Sequence, residues 1–408
     1  MVEVLYLAAG NLMVPRSGMD LVCREHLNEL GRATGFSVYG VAVAPGIDGS
    51  PEPGVYSISN ARVRHFVGDL KGEIFGWAQI WKKTKMVFGR VVPVMAYSFK
   101  SQAAAQHIRD LLRSNQFDVI VVDHYYAMAN IGVLDLLRSP AKLVYISHDA
   151  MASHLVDMAE ARSHWLTKLY CYLEAVRSHA VECILFGGSS FVVHLSDYES
   201  RRAAKRVGRH VGLLPLFAGS SEIESEADSV DPMGGFAKMV VFVGAPSHFP
   251  NAEAIDWIVQ KLAPELARIA PELQVALLGQ GTDAMSLPAN VKGLGFVSAH
   301  RMRSVLAQCV CTISPVIHGR GIKVKVLDSI SAGCPVLATA HSLRGFDQFC
   351  IEPQVQLDRP DELARNLLRL SRDQHARQSM RSSIQLRWQE FVNKRNQQLV
   401  SEIESLRV

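Results

Sequence analysis

The chain alternates short apolar runs with longer stretches in which apolar residues recur at helical spacing. In the first half, residues 2–9, 36–43 and 141–147 are apolar runs of strand length, and residues 19–34 and 102–114 have helical spacing. Runs that are apolar throughout predict strands buried on both faces, and their alternation with helices predicts an open, largely parallel sheet. The first half is therefore predicted to be a Rossmann-like α/β domain.

The rest of the first half continues this pattern with shorter pieces. Residues 117–124 predict a strand that ends in polar residues, and residues 151–182 predict a long helical stretch. Residues 183–186 and 192–195 are short apolar pieces, after which Ser196 can cap a helix. Residues 213–217 are the last extended segment before the pattern breaks.

A second alternating pattern follows a polar interruption. Residues 218–236, AGSSEIESEADSVDPMGGF, are acidic and rich in Ser and Gly, which is typical of a linker. Apolar runs then return at 239–243, 273–278, 310–316 and 336–339, with a helix predicted over 252–266 and helices almost unbroken after Pro360. We therefore predict α/β architecture with two Rossmann-like domains facing across a cleft. The predicted division is 1–217, a linker over 218–236, 237–385, and a C-terminal helix over 386–408 that packs back toward the first domain.

The turn between the last two apolar runs carries the most suggestive chemistry. Gly319 and Gly321 permit backbone geometry that brings amides close to a ligand, and the helix that follows begins near Lys323 and Lys325. A helix N-terminus and two lysines favour an anion such as a diphosphate, and Asp328, about one turn on, suits paired sugar hydroxyls. The local pattern predicts a nucleotide-sugar site. An ordinary βαβ turn with solvated lysines is the alternative that the residues alone leave open.

Composition narrows the class of protein. A chain of 408 residues suggests two or three domains, and 48% hydrophobic with 20% charged residues is ordinary for a large globular core. The net charge of +4 gives no indication of a nucleic-acid partner. No apolar run is long enough to cross a bilayer, the N-terminus lacks a basic region typical of a signal peptide, and the seven cysteines are scattered. We expect a cytoplasmic protein.

Polar residues follow two of the predicted strands in the first domain. Asp123 and His124 end one strand, and His148 and Asp149 end the next. Ligands of open α/β sheets bind beyond the carboxyl ends of strands, so these side chains indicate one side of a site. Gly18, in the loop before the first helix, could let the backbone approach an anion, although a plain βα loop explains it equally well.

Residues 71–100 interleave aromatic and basic residues. Trp77, Trp81, Phe88 and Tyr97 alternate with Lys82, Lys83, Lys85, Arg90 and Lys100. Such a segment can contact an anionic membrane surface, so a peripheral position at the inner face of the membrane is possible for it. A helix packed by its aromatic face, with its lysines in water, is the structural alternative.

Three motifs of the second half together resemble the retaining glycosyltransferases of the GT-B fold, of the glycosyl transferases group 1 type. They are FVGAPSHFPNAEAIDW (242–257), GFV (295–297) and GRGIKVKVLDSISAGCPVLAT, which has the glycine turn and the GIK-x-K helix start of that group. The first half matches more loosely, through the Gly18 loop, the strand ending at His148 and the Ser196-Asp197 segment. The resemblance implies a transferase that moves a sugar from a nucleoside-diphosphate-sugar to a hydroxyl acceptor (a glycan, a lipid-linked or a small molecule), with retention, as in polysaccharide biosynthesis.

The resemblance also implies roles for the residues of the turn. Gly321, Ile322 and Lys323 would hold the donor phosphates through backbone amides, and Lys325 would add positive charge. Asp328 would bind the nucleotide ribose.

Further donor-binding positions follow from the same resemblance. Phe296 and Val297 would flank the base, Gly244 would let the donor approach, and His318 and Gly319 would belong to the donor-binding turn.

In the first half, the resemblance assigns the catalytic position to His148, near the transferred sugar, and places Gly18 facing the diphosphate. It implies no cofactor and no metal, because a helix dipole and lysines neutralise the leaving diphosphate.

Three positions depart from the family pattern. Arg320 stands where the group often has an acidic residue, Asp328 is shorter than the usual Glu, and His248 stands where many members have arginine. These departures leave the donor undetermined. They also leave two alternatives open, a nucleotide-sugar epimerase of the same fold and a catalytically idle scaffold subunit.

Overall fold

The fold was analysed in a computed structural model that describes residues 1–15, 17–46, 52–71, 92–160, 164–203, 209–215, 236–352, 354–395 and 398–407. The chain divides into two compact units. The first comprises Met1–Ala218 together with Arg395–Val408, and the second comprises Gly219–Lys394. The predicted linker, apart from Phe236, and most of the aromatic and basic segment over 71–100 lie outside the described residues.

The first unit is built on an eight-stranded sheet. Its strands in chain order are Val2–Ala9 (β1), Phe36–Gly46 (β2), Gly54–Ile58 (β3), Ala61–Lys71 (β4), Val119–Asp123 (β5), Lys142–Ser147 (β6), Phe191–His194 (β7) and His210–Gly212 (β8). The order across the sheet is β3-β4-β2-β1-β5-β6-β7-β8, and every pair is parallel except β3 with β4. The continuous apolar runs thus form parallel strands, as predicted.

Helices of the first unit connect these strands and cover the sheet. They are Gly18–Arg32 (α1), Gln102–Ser114 (α2), Val133–Arg138 (α3), Met151–Glu160 (α4), Trp165–Gly188 (α5) and Asp197–Ala203 (α6). The predicted cap of α6 is present, since the Ser196 hydroxyl accepts the Glu199 N–H at 3.2 Å.

One helix of this unit extends further than predicted. Residues 183–186 belong to α5, because their apolar side chains continue the buried face of that helix with Leu185 and Phe186. The last strand is His210–Gly212, and Leu213, in the predicted extended segment 213–217, donates its N–H to the His194 carbonyl of β7 at 2.7 Å. Residues 216 and 217 of that segment lie outside the described residues.

The second unit has a five-stranded, wholly parallel sheet. Its strands are Met239–Val243 (β9), Gln274–Leu278 (β10), Val291–Gly293 (β11), Cys311–Ser314 (β12) and Val336–Ala338 (β13). The order across the sheet is β11-β10-β9-β12-β13. Counted from its own first strand this is 3-2-1-4-5, the order of a Rossmann-type sheet.

The helices of the second unit follow the strands in the predicted alternation. They are Phe249–Trp257 (α7), Ala263–Ile269 (α8), Ala299–Gln308 (α9), Val324–Ser331 (α10), Pro360–Arg372 (α11) and Gln374–Arg395 (α12), with a π-helical stretch, Ile258–Leu262, joining α7 to α8. The first helix begins at Phe249, earlier than predicted, since Pro250 fits the first turn of a helix. One further helix, Gln398–Glu404 (α13), belongs to the first unit.

The last residues of the chain are held in the first unit by polar contacts. The buried Arg395 guanidinium donates to the Leu214 carbonyl at 3.0 Å and to Glu29 Oε1 at 2.9 Å. Glu29 Oε1 also accepts the Leu399 N–H at 3.2 Å. Within the described part of the chain, no helix is long and apolar enough to span a membrane.

Candidate functional site

The strand order of the second unit fixes where a ligand can bind. β9 and β12 are neighbours in the sheet, and the connections that leave their carboxyl ends go to opposite sides of it. This is the switch point at which open α/β sheets form a crevice. Gly244 follows β9 and the turn containing Gly319 and Gly321 follows β12, so the sequence motifs meet at this edge.

The turn after β12 depends on its two glycines. Gly319 has φ +88° and Gly321 has φ +69°, conformations that side chains other than glycine rarely adopt. Lys323 is the N-cap of α10, and its ammonium donates to the carbonyls of Gly319 at 3.2 Å, Arg320 at 3.4 Å and Gly321 at 3.3 Å. Lys323 thus holds the shape of the turn and places positive charge at the start of the helix.

His341 supports the same turn from the end of the next strand. Its Nε2 lies 2.8 Å from the Gly319 carbonyl oxygen and donates to it. Burial, with smaller contributions from the charges of Lys323 and Arg344, lowers the pKa of His341 to about 4. His341 is therefore a neutral hydrogen-bond donor at physiological pH. His341 lies outside the sequence motif of the turn, so no motif indicated this role.

Lys325 connects the two sides of the switch point. Its ammonium donates to Asn251 Oδ1 at 2.5 Å and lies 4.3 Å from the centre of the Phe242 ring. Burial, with a smaller contribution from the charge of Lys323, lowers the pKa of Lys325 to about 7. A lysine in this state gains charge when an anion arrives, which is the behaviour expected of a phosphate-binding residue.

Close packing explains the glycine after β9. A Cβ on Gly244 would lie 2.7–2.9 Å from the side-chain atoms of Asn251, the residue that accepts from Lys325. A Cβ on Gly279, which has φ +158°, would lie 2.5 Å from the backbone of Gly244. The loops after β9 and β10 therefore stack backbone on backbone behind Lys325.

Asp328 lies one turn after Lys325 on α10 and is half-buried. Burial raises its pKa to about 7, against the opposing charge of Arg303. Near neutral pH the carboxyl can therefore either accept or donate a hydrogen bond, and both suit a sugar hydroxyl.

The remaining predicted donor residues surround this edge of the second unit. Phe296 follows Gly295, which has φ +66°, and is 60% exposed, whereas Val297 packs on the apolar core. Ile322 is buried within the turn. His318 is exposed, and its Nδ1 lies 2.6 Å from Glu253 Oε2 on α7.

The first unit has a switch point of its own between β1 and β5. Gly18 begins α1 there, and Ser17 and Asp20 form a capping box at its N-terminus. Asp20 Oδ1 also accepts the Asn11 N–H at 2.9 Å, so a carboxylate of the chain already occupies part of the loop. The expected position of Gly18, facing the donor diphosphate, stays a prediction.

His148 lies at the end of β6 in a buried polar network centred on Asp123. Its Nε2 donates to Asp123 Oδ1 at 2.5 Å, and His26 Nδ1 donates to Asp123 Oδ2 at 2.9 Å. The Tyr6 hydroxyl contacts Asp123 and lies 2.8 Å from the Cys23 carbonyl oxygen. Burial alone would raise the pKa of Asp123, but the two histidines outweigh it and hold that pKa far below its usual value.

The network fixes which nitrogen of His148 is available. Because Nε2 is engaged by Asp123, Nδ1 is the nitrogen that remains for another partner. His26 and Tyr6 lie on α1 and β1, far from Asp123 in sequence, and no local pattern indicated them. His124 has φ +66°, and its ring meets the His148 ring edge-on at 5.0 Å between centroids.

Cys23, Asp123 and His148 present three potential metal ligands within 4.8 Å of one another. The 2.5 Å separation of His148 Nε2 and Asp123 Oδ1 is shorter than the spacing of two ligands around one ion at ~2 Å from each. Burial also raises the pKa of the Cys23 thiol, as does the charge of Asp123. The arrangement is that of a hydrogen-bonded network with a neutral thiol beside it.

Comparison with known proteins agrees with this architecture. Residues 237–373 match the family described as glycosyl transferases group 1. No curated protein matches the sequence significantly.

Similar solved structures cover the whole chain at low identity. Sucrose-phosphate synthase from Thermosynechococcus elongatus has a TM-score of 0.67 at 14% identity, over 100% of this chain and 99% of that chain. HepE from Anabaena, in complex with UDP and glucose, has a TM-score of 0.62 at 15% identity, over 99% and 100%. The α,α-trehalose 6-phosphate synthase from Burkholderia multivorans has 0.60 at 12%, over 100% and 99%.

The chain has the fold of the GT-B glycosyltransferases with which it was compared. Its segment 237–373, which contains β9 to β13 and the turn with Lys323 and Lys325, matches the glycosyl transferases group 1 family.

Proposed function

We propose that this protein transfers a sugar from a UDP-sugar to a hydroxyl acceptor with retention of configuration and without a metal ion. The observation that carries the proposal is the position of Lys325. Its ammonium lies at the switch point of the second unit, beside the glycine turn and the N-terminus of α10, and is partly neutral near pH 7. A diphosphate arriving there meets backbone amides, a helix dipole and two lysines.

The donor residues have complementary tasks in this proposal. The amides of Gly321, Ile322 and Lys323 bind the diphosphate, and Lys325 takes up a proton and becomes its counter-charge. Asp328 accepts hydrogen bonds from the ribose hydroxyls. The exposed ring of Phe296 supplies a surface for the base.

The choice of UDP rests on the structural neighbours. HepE has been solved with UDP-glucose, and a structure described as trehalose-6-phosphate from E. coli has been solved with UDP-2-fluoro glucose. Both share the fold of this chain, and we infer the same base here. Retention is proposed because the glycine turn and the GIK-x-K helix start resemble those of the retaining group.

The chemical step in this proposal is leaving-group departure assisted by fixed positive charge. The lysines and the dipole of α10 stabilise the negative charge that develops on UDP as the bond to the sugar breaks. His148, with Nε2 held by Asp123, presents Nδ1 as an acceptor that orients a hydroxyl of the sugar or of the acceptor. A metal ion has no required part in this scheme.

Turnover of UDP-glucose without an added acceptor tests the reaction class. Enzyme treated with EDTA is mixed with UDP-glucose, and proton NMR follows the glucose that transfer to water releases. We expect UDP and the α-anomer of glucose to appear first. Initial release of the β-anomer would contradict retention, and recovery of activity only after adding Mg²⁺ or Mn²⁺ would contradict the metal-free scheme.

A further inference from the structure

Helix α5 exposes an apolar stripe that nothing in the proposed reaction uses. Six large apolar side chains on it are between 42% and 69% exposed: Trp165, Leu166, Leu169, Tyr172, Leu173 and Val176. Monomeric proteins rarely expose so many large apolar residues side by side, and such a patch usually marks an interaction site.

The spacing of the stripe is that of a helix-pairing surface. Trp165, Leu169, Tyr172 and Val176 are separated by four, three and four residues, the a and d positions of a heptad repeat. Leu166 and Leu173 lie beside them at a spacing of seven. The next two positions of the repeat are His179 and Cys183, both exposed, so the apolar part of the repeat ends at Val176.

The opposite face of α5 already packs on its own unit. Leu185 and Phe186 are buried in the core of that unit, and Val181 lies with them. Glu174 is buried on the same side and accepts from Val94 N–H at 2.6 Å. The helix is therefore apolar on two faces, one of which the described part of the chain leaves in solvent.

The patch is large enough for a stable interface. The six side chains expose roughly 600 Å², so a symmetric pair buries about 1,200 Å², the lower end of the range for specific interfaces. Leu134 and Leu137 of α3 are also exposed, but they lie beside Gly188, about 18 Å along α5 from Val176, and are not part of the stripe.

The charged residues of α5 favour a protein partner over a lipid surface. α5 carries two basic residues, Lys168 and Arg177, and two acidic ones, Glu174 and Glu182. Arg177 is paired with Glu174 at 2.7 Å. A helix that binds an anionic membrane has a basic polar face, and α5 has none. An uncharged heptad stripe is complementary to another copy of itself.

We propose that α5 pairs with α5 of a second copy of this chain, forming a dimer through the stripe from Trp165 to Val176. Such a pair is isologous, because each copy contributes the same surface. The contact is independent of the donor-binding turn.

Sedimentation velocity across the micromolar range tests the dimer. We expect the wild-type chain to sediment at twice its monomer mass and the double variant Leu169→Glu/Val176→Glu to sediment as a monomer. Self-association of the variant should be at least about 100-fold weaker, because two apolar contacts are replaced by like charges. Leu386→Glu is the matched control, since Leu386 is a 58% exposed leucine on α12 in the other unit. That control should stay dimeric.

Two further measurements keep the outcomes separate. Thermal unfolding should show the Glu variant folded, and Leu169→Ser/Val176→Ser should give the same loss of dimer if the Glu pair unfolds the unit. Flotation with vesicles of phosphatidylcholine and phosphatidylglycerol tests lipid binding. A monomeric wild type, with or without vesicle binding, overturns the proposal, as does a dimer that survives both double variants.

Discussion

At the residue scale, the Lys325 ammonium is both held in place by its neighbours and partly neutral near pH 7. It is held between Asn251 and the Phe242 ring, and burial with the charge of Lys323 lowers its pKa to about 7. Asp328, one turn away, is shifted in the opposite direction to the same value. Near neutral pH, the binding of a ligand can therefore change the protonation state of both side chains.

Binding of UDP should therefore be linked to protons. A diphosphate favours the charged ammonium and raises the pKa of Lys325, so UDP binding at about pH 7 should take up roughly half a proton at this residue, and affinity should fall as pH rises above 7. Calorimetry in buffers of different ionisation enthalpy measures the uptake.

Variants separate the two groups in this measurement. Asp328 would release protons on accepting ribose hydroxyls, so Asp328→Asn should increase the net uptake, whereas Lys325→Met should abolish it. Uptake that is unchanged in Lys325→Met would remove Lys325 from the phosphate site.

Also at the residue scale, Asp123 fixes the orientation of His148 by accepting a hydrogen bond from its Nε2. Asp123→Asn keeps the shape of the side chain but removes its charge, so His148 should lose its fixed orientation. We expect UDP-glucose turnover to fall about 10- to 100-fold, since a charged hydrogen bond is worth about 1.5–3 kcal/mol, while UDP affinity changes less than about twofold.

Tyr6→Phe is the control for Asp123→Asn. It removes another contact of the same carboxylate and leaves the His148 bond in place. Turnover in Tyr6→Phe should stay near wild type. Equal losses in both variants would mean that the network stabilises the unit and does not position His148.

The elements show what the sequence could and could not predict. β1 and β9 have the predicted bounds, because a strand buried on both faces reads as one apolar run bounded by polar residues. Residues 183–186 were misread because a buried helix face also presents consecutive apolar residues, and only the rest of α5 distinguishes the two. The contacts of Asp123 with Tyr6 and His26 could not be predicted, since they depend on the pairing of β1 with β5 and the return of α1 over the sheet.

At the scale of elements, a substitution of Gly279 tests whether the loops after β9 and β10 pack backbone against backbone. Gly279→Ala should destabilise the second unit by about 2–3 kcal/mol, because its Cβ would overlap the backbone of Gly244 in addition to backbone strain. Gly281→Ala is the control: Gly281 also has positive φ, +89°, but the nearest atom to its Cβ is 3.7 Å away, so strain alone costs about 1 kcal/mol. Chemical denaturation measures both, and equal losses would contradict the stacking of the two loops.

At the scale of the whole molecule, the fold is that of GT-B glycosyltransferases along the entire chain, while the match to the glycosyl transferases group 1 family covers residues 237–373. This agrees with the sequence, in which the second half has three motifs at family spacing and the first half matches loosely. The proposed donor residues lie in the second unit, apart from Gly18, and their chemistry can be tested without knowing the acceptor. Arg320, Asp328 and His248 depart from the family pattern, so donor recognition is the part of the account that most needs measurement.

Calorimetric titration with UDP, GDP, ADP and TDP tests that recognition most directly. The account predicts that UDP binds with one site per chain and more tightly than the other three. It also predicts that Lys325→Ala weakens UDP binding about 10- to 100-fold, the effect of one charged contact, while Lys292→Ala, at an exposed position on β11, leaves it unchanged. Absence of binding by all four nucleotides, or equal UDP affinity in Lys325→Ala and wild type, would contradict it.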